Sequence, residues 1–135
     1  EHGLPLRDDW IINDRDEDGL SYKTIRLPDE MPTAFVCNCD RIAYQLINQL
    51  KVMGYHVPED ISIVGYDNHI YSTISNPRIT TMDVNSYRMT TEAVEIMVKK
   101  IRDNSYHCGR ILVTGKLLER DSVKNLNVED EKFFK

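Results

Sequence analysis

The chain has 135 residues, 41% hydrophobic and 29% charged, with a formal net charge of −5. That length suits one domain with its own core and is short for two, and the composition is globular, which excludes wholesale disorder and a fibrous repeat. No apolar run approaches the ~20 residues needed to cross a bilayer, and the acidic balance is a poor electrostatic match for a phosphate backbone, so this chain is not expected to bind DNA by itself.

Glu1-His2-Gly3-Leu4-Pro5 has neither the basic n-region nor the apolar h-region of a signal peptide, and no initiator Met, so it reads as a piece of something longer. Three cysteines, an odd number without framework spacing, read as reduced thiols of a cytoplasmic protein. Trp10-Ile11-Ile12 is a short apolar stretch, and the charge run Asp14-Arg15-Asp16-Glu17-Asp18-Gly19 reads as a solvated loop. Residues 22–27 suit a strand or a short helix, periodicity leaving both open, and residues 28–32 break the chain.

Thr33-Ala34-Phe35-Val36-Cys37 is a nearly continuous apolar run, the pattern of a strand buried on both faces. Asp40 is placed as a helix N-cap. After it Ile42, Ala43, Leu46, Ile47, Leu50 and Met53 fall at helical spacing, with Gly54 suited to the position just past the helix. Pro58-Glu59-Asp60 makes a turn, and Ile61-Ser62-Ile63-Val64-Gly65-Tyr66 is a second strand ending in Asp67-Asn68. Strand, helix and strand together have the size of a βαβ crossover.

Residues 68–78 are turn-rich, and Ile79-Thr80-Thr81-Met82 is a third strand candidate. Asn85 or Ser86 suits the cap of a helix reaching Asp103, with Met89, Ala93, Ile96, Met97 and Ile101 expected inward. Arg110-Ile111-Leu112-Val113-Thr114 reads as a late strand that could run on to Leu118, and a polar tail follows with Phe133-Phe134 near its end.

In an open parallel sheet, ligands bind outside the carboxyl ends of the strands, where loops leave the ladder and helix N-termini point inward. The segments after the first two strands, Cys37-Asn38-Cys39-Asp40 and Tyr66-Asp67-Asn68, therefore belong near each other at such an edge. Asp67 reads equally as a carboxylate that accepts from ligand hydroxyls or ring N–H groups and as a strand-end residue stabilising its own turn. Tyr66 suits either stacking on a ring or covering the core. Cys37-Asn38-Cys39 supplies at most two of the four ligands zinc needs, and His107-Cys108 is distant in sequence, so no metal or other cofactor is expected. Cys39 as a nucleophile would need a base, for which only His69 is topologically close, and an exposed loop histidine is the plainer reading. No Ser/His/Asp order, phosphate-cradling glycine loop or H-E-x-x-H occurs, so an enzyme is not expected.

Pro32-Thr33-Ala34-Phe35-Val36-Cys37-Asn38-Cys39-Asp40, then Ala43, then Gly54 through the Val57-Pro58-Glu59-Asp60-Ile61-Ser62-Ile63-Val64-Gly65-Tyr66-Asp67-Asn68 string, Ile79-Thr80-Thr81-Met82 and finally Arg120-Asp121-Ser122 resemble the lactose/galactose-repressor (LacI/GalR) family. The order and spacing are similar to the C-terminal half of that family's effector-binding region. The resemblance implies an α/β fold with a Rossmann-like parallel sheet flanked by helices, one lobe of a type I periplasmic-binding-protein architecture. It implies residues 1–124 as that lobe, a helix at 87–103 that packs on a first lobe outside this chain, and a polar tail at 125–135. It also implies a function, the effector-sensing and dimerising part of a transcriptional repressor that reaches operator DNA only through an N-terminal helix-turn-helix outside this chain, with no membrane partner.

Carried over position by position, the resemblance makes Asp67 and Tyr66 ligand contacts. Cys39 stands where the family often has Asn, Val84 where it often has Gln, and Ser86 where an aromatic sometimes follows. A thiol and an isopropyl group do not pair hydroxyls as those residues do, so either the ligand is less polar than a sugar or the pocket has lost small-molecule binding; the effector the resemblance implies is a sugar or a nucleobase-like molecule. Tyr44, Tyr71 and Ile74 are implied at a homodimer interface. With its packing partner outside the chain, the stripe on the 87–103 helix is expected to drive self-association. The alternative reading is the sugar-binding component of a transport system, periplasmic or lipid-anchored, which shares the fold and the Gly-aromatic-Asp signature.

Overall fold

The computed structural model describes residues 7–19 and 22–126. A 3-10 turn at Asp8–Trp10 is followed by β1 (Ala34–Val36), α1 (Asp40–Val52), β2 (Ser62–Tyr66), α2 (Ile70–Ile74), β3 (Thr80–Asp83), α3 (Ser86–Arg102) and β4 (Lys116–Leu118). The strands form one sheet in the order β1-β2-β3-β4. β1 pairs parallel with β2, β2 parallel with β3, and β3 antiparallel with β4. The expected α/β class with a parallel sheet and flanking helices is therefore what the chain forms.

The core lies between the sheet and α1. The helical spacing does what it predicts as far as Leu50: Ile42, Ala43, Leu46, Ile47 and Leu50 are buried, facing Ile61, Ile63 and Ile79, whereas Met53 lies past the helix as its C-cap and is exposed. Burying each large aliphatic side chain contributes roughly 1.5–3 kcal/mol. α1 stops where Gly54 takes φ 89°. There the Gly54 and Tyr55 N–H groups donate to Lys51 O (3.2 Å) and Leu50 O (3.0 Å), a left-handed C-terminal closure that a side chain would strain.

Four elements depart from the sequence pattern. β1 is not buried on both faces. Phe35 packs toward α1, but Ala34 is exposed and Val36 is 86% exposed, because β1 is the sheet edge and α1 covers one face only. Residues 22–27 form neither strand nor helix; a single bridge joins Arg15 to Tyr22, Ile25 is buried, and Gln49 Nε2 on α1 donates to Ile25 O at 2.9 Å.

The third departure is α3, which begins as read. Asn85 rather than Ser86 is its cap, with Oδ1 accepting from Arg88 N at 3.2 Å. Yet α3 has no buried residue; Met89, Met97 and Ile101, expected inward, are exposed, as are Ala93 and Tyr87. Fourth, the late strand lies at Lys116–Leu118 and not over residues 110–114. It forms where β3 offers a free edge, and Gly115 allows the approach, since a Cβ there would come within 3.0 Å of Asp83 O and Met82 Sδ. The readings of residues 1–5 and of Phe133-Phe134 lie outside the described residues.

Candidate ligand site at the carboxyl edge of the sheet

Because β1, β2 and β3 run parallel, their carboxyl ends share one edge of the sheet. Cys39 follows β1, Tyr66 ends β2 with Asp67 after it, and Val84 and Ser86 follow β3. Tyr66 pairs with Met82 in the ladder, and Asp67 N–H continues the pairing to Met82 O at 3.0 Å. Tyr66 is 46% exposed and Asp67 is exposed, whereas Cys39 and Val84 are half-buried and Ser86, the first residue of α3, is exposed.

The chain turns sharply where β2 ends. Asp67 and Asn68 both take positive φ, 98° and 54°. Left-handed backbone costs an L-residue about 1–2 kcal/mol, and Asp and Asn are the non-glycine residues that tolerate it best. Around this corner the Asn68 N–H donates to Thr81 Oγ1 at 3.4 Å, Arg120 Nη2 donates to Asn68 Oδ1 at 2.8 Å, and His69 N–H donates to Asp40 Oδ2 at 2.6 Å.

Asp40 is not the cap of α1. The N-cap position falls on Cys39, extended at φ −156° and ψ 160° and without a side-chain capping bond, and Asp40 is the first residue of the helix proper. Its carboxylate instead turns inward and is fully buried. Oδ2 holds the His69 N–H, while Oδ1 has no hydrogen-bond partner among the described residues. Burial pushes the Asp40 carboxyl above the usual carboxylate range, and the Asp67 charge adds to this. The Thr81 hydroxyl, the His69 N–H and the Arg120 charge pull the other way.

Arg120-Asp121-Ser122 knits this region from the far end of the chain. Besides Asn68, Arg120 donates through Nη1 to Ile79 O (2.9 Å), and its backbone N–H donates to Thr80 Oγ1 (2.9 Å). Buried Ser122 donates from Oγ to Ile63 O at 2.6 Å and accepts from Thr80 N at 2.8 Å, while Ile63 N–H donates to Ser122 O at 2.8 Å. Asp121 pairs with Arg78 at 2.8 Å, and that guanidinium holds its carboxyl below the usual range. The motif alone suggested a family likeness; that Ser122 fills the β2–β3 ladder and Arg120 pins the corner is legible only in three dimensions.

Beside the edge, His69, Tyr71 and Tyr44 form an aromatic run. His69 stacks on Tyr71 with ring centroids 5.3 Å apart, and Tyr71 lies 5.3 Å from Tyr44 of α1. Ile70 and Ile74 on α2 are 58% and 57% exposed next to it. The three residues assigned to a dimer face thus sit on α1 and α2, elements that pack directly together. His69 is exposed, as the plainer sequence reading has it, and what the sequence did not disclose is its stacking on Tyr71.

Cys37 is buried, and burial pushes its thiol up to about 12, which keeps it protonated and unreactive. Among the described residues, no group of three or more His, Cys, Asp or Glu is arranged to hold a metal ion, and no helix is long and apolar enough to cross a membrane.

The chain is 34% identical over 137 residues to the HTH-type transcriptional repressor PurR of Glaesserella parasuis, covering 94% of this chain and 40% of that protein. It is 32% identical over 129 residues to the PurR repressor of Vibrio cholerae, covering 93% and 38%. This chain thus spans about two fifths of the length of these curated relatives. Among solved structures, a LacI transcriptional regulator of Bacillus cereus subsp. cytotoxis matches with a TM-score of 0.68 and 32% identity, over 72% of this chain and 34% of that one. A LacI-type regulator of Bifidobacterium animalis subsp. lactis matches with a TM-score of 0.66 and 31% identity, over 70% and 34%. The sequence profile of the periplasmic binding protein-like domain matches residues 1–123, nearly the whole described chain, and with the parallel sheet, its flanking helices and these relatives it assigns the fold: the chain belongs to the periplasmic binding protein-like domain family.

Proposed function

We propose that this chain is the effector-sensing and dimerising part of a LacI/GalR-type transcriptional repressor, a binding module of the cytoplasm and not an enzyme. One observation carries the reading: Asp67 stands exposed just past β2, at the edge where three parallel strands end, in a left-handed corner tied on three sides. An exposed carboxylate on a rigid corner is the arrangement that reads a ligand's hydroxyl or ring N–H groups. The relatedness to PurR repressors supports the regulator over a transport protein.

In this reading residues 1–124 make one wall of the effector cleft; of the polar tail read at 125–135, residues 127–135 lie outside the described residues. Asp67 supplies the polar contact, Tyr66 a ring surface, and Cys39, Val84 and Ser86 a wall short of hydroxyl-pairing groups, so the effector is a sugar or nucleobase-like molecule recognised mainly through Asp67. The Tyr44–Tyr71 pair with Ile74 forms the homodimer face, and α3 lies against a further lobe of the intact protein, which carries the DNA-binding segment. The test is Asp67→Ala in the intact repressor: effector response disappears while operator binding is retained. Unchanged induction removes Asp67 from the site.

A further inference from the structure

Two consecutive non-glycine residues with positive φ, Asp67 and Asn68, cost about 1–2 kcal/mol each, which their surroundings must offset. Three side chains from distant parts of the sequence do so. Asp40 Oδ2 accepts from His69 N at 2.6 Å, Thr81 Oγ1 accepts from Asn68 N at 3.4 Å, and Arg120 Nη2 donates to Asn68 Oδ1 at 2.8 Å. Asp40 and Thr81 are fully buried. Asp40 is an expensive choice for scaffold alone. One of its oxygens is buried without a hydrogen-bond partner among the described residues, it makes no capping bond for α1, and it fits only because Gly65 has no side chain. What that carboxylate does hold is the amide at the far side of the corner. Arg120 closes the near side and is itself braced on Ile79 O and Thr80 Oγ1.

The geometry points to Asp40 and Arg120 as positioning residues that hold the Asp67–Asn68 corner in its left-handed form and so aim the Asp67 carboxylate into the effector cleft. The aim of Asp67 rests on the ligand reading above; the hold on the corner does not.

The experiment is amide hydrogen exchange by NMR on the 135-residue chain, with HN–Hα couplings at Asp67 and Asn68 reporting φ. In Asp40→Ala the His69 amide exchanges about tenfold faster, as expected for one lost charge-assisted hydrogen bond. The two couplings move toward averaged values, while the Ile63 amide, bonded to Ser122 O, stays within about twofold. Asp40→Asn keeps an acceptor oxygen and restores His69 exchange and both couplings. If all amides accelerate together with the couplings unchanged, or if Asp40→Ala leaves His69 protected, the proposal is overturned. Should Asp40→Ala fail to fold, Arg120→Gln decides, because Arg120 is only half-buried: averaged couplings at Asn68 support the proposal and unaltered ones overturn it. No effector enters these measurements, so a failed Asp67→Ala induction assay and a failed clamp give different results.

Discussion

Gly65 of β2 lies against Asp40 of α1 so closely that a Cβ on Gly65 would overlap Asp40 Oδ1 and come within 3.1 Å of Ile79 Cγ2. Both obstacles are buried, and neither is the loose end of a flexible chain. Gly65→Ala therefore destabilises the fold by about 1–3 kcal/mol, the cost of overpacking. In a double-mutant cycle with Asp40→Ala, urea denaturation returns less than the sum of the two single losses, because the second substitution vacates the space the first invades.

The buried Asp40 carboxyl gives stability a pH signature. Its folded value is raised, chiefly by burial, above the ordinary 3.8. The folded state thus binds the proton more tightly than the unfolded chain. This group's contribution is full below the ordinary value and is lost as pH rises through the raised folded one. Urea midpoints measured from mild acid to neutrality carry that downward component in the parent, and Asp40→Asn, which cannot ionise, removes it.

Ser122 Oγ bridges a buried carbonyl and a buried amide in neighbouring strands, Ile63 O and Thr80 N. Ser122→Ala leaves both without that partner, at a cost of about 1–3 kcal/mol per orphaned group. The expected result is a lowered denaturation midpoint with an unchanged slope, because the fold and its exposed area are kept.

α3 carries Tyr87, Met89, Met97 and Ile101 into solvent at 84, 50, 60 and 78% exposure. Large apolar side chains exposed along one helix favour association. The chain should sediment as an oligomer, and Met97→Glu with Ile101→Glu should shift it toward the monomer. A strictly monomeric parent with no dye-accessible apolar surface contradicts this.

Tyr71→Ala tests the other face. It removes the ring between His69 and Tyr44. Under the proposed function the change weakens dimerisation of the intact protein, read by sedimentation equilibrium, by about the 1–2 kcal/mol expected for an aromatic anchor.

The β1–α1–β2 unit was legible because its signals are local: helical spacing from Ile42 to Leu50, a glycine at the stop, β-rich runs on either side. Asp67 at a strand end was legible for the same reason. The environment of each element was not. Val36 has the sequence context of a doubly buried strand and is exposed because nothing described covers its face. The stripe on α3 shows the right period without a partner among the described residues. The Ile111-Leu112-Val113 run has strand propensity, but the ladder forms five residues later, where a free edge of β3 waits. Asp40 looked like a cap because caps are read from the position before a helix; its true acceptor role depends on an amide 29 residues on.

His69 has a double attachment: its backbone is held by Asp40, and its ring lies on Tyr71, which lies on Tyr44, four residues along the same helix as Asp40. These contacts form a closed circuit that starts and ends on α1. A circuit cannot be stretched at one link alone. Any pull on Asp67 that drags its neighbour His69 is returned to α1 at two points one turn apart, as a torque on the helix and not as a local dent.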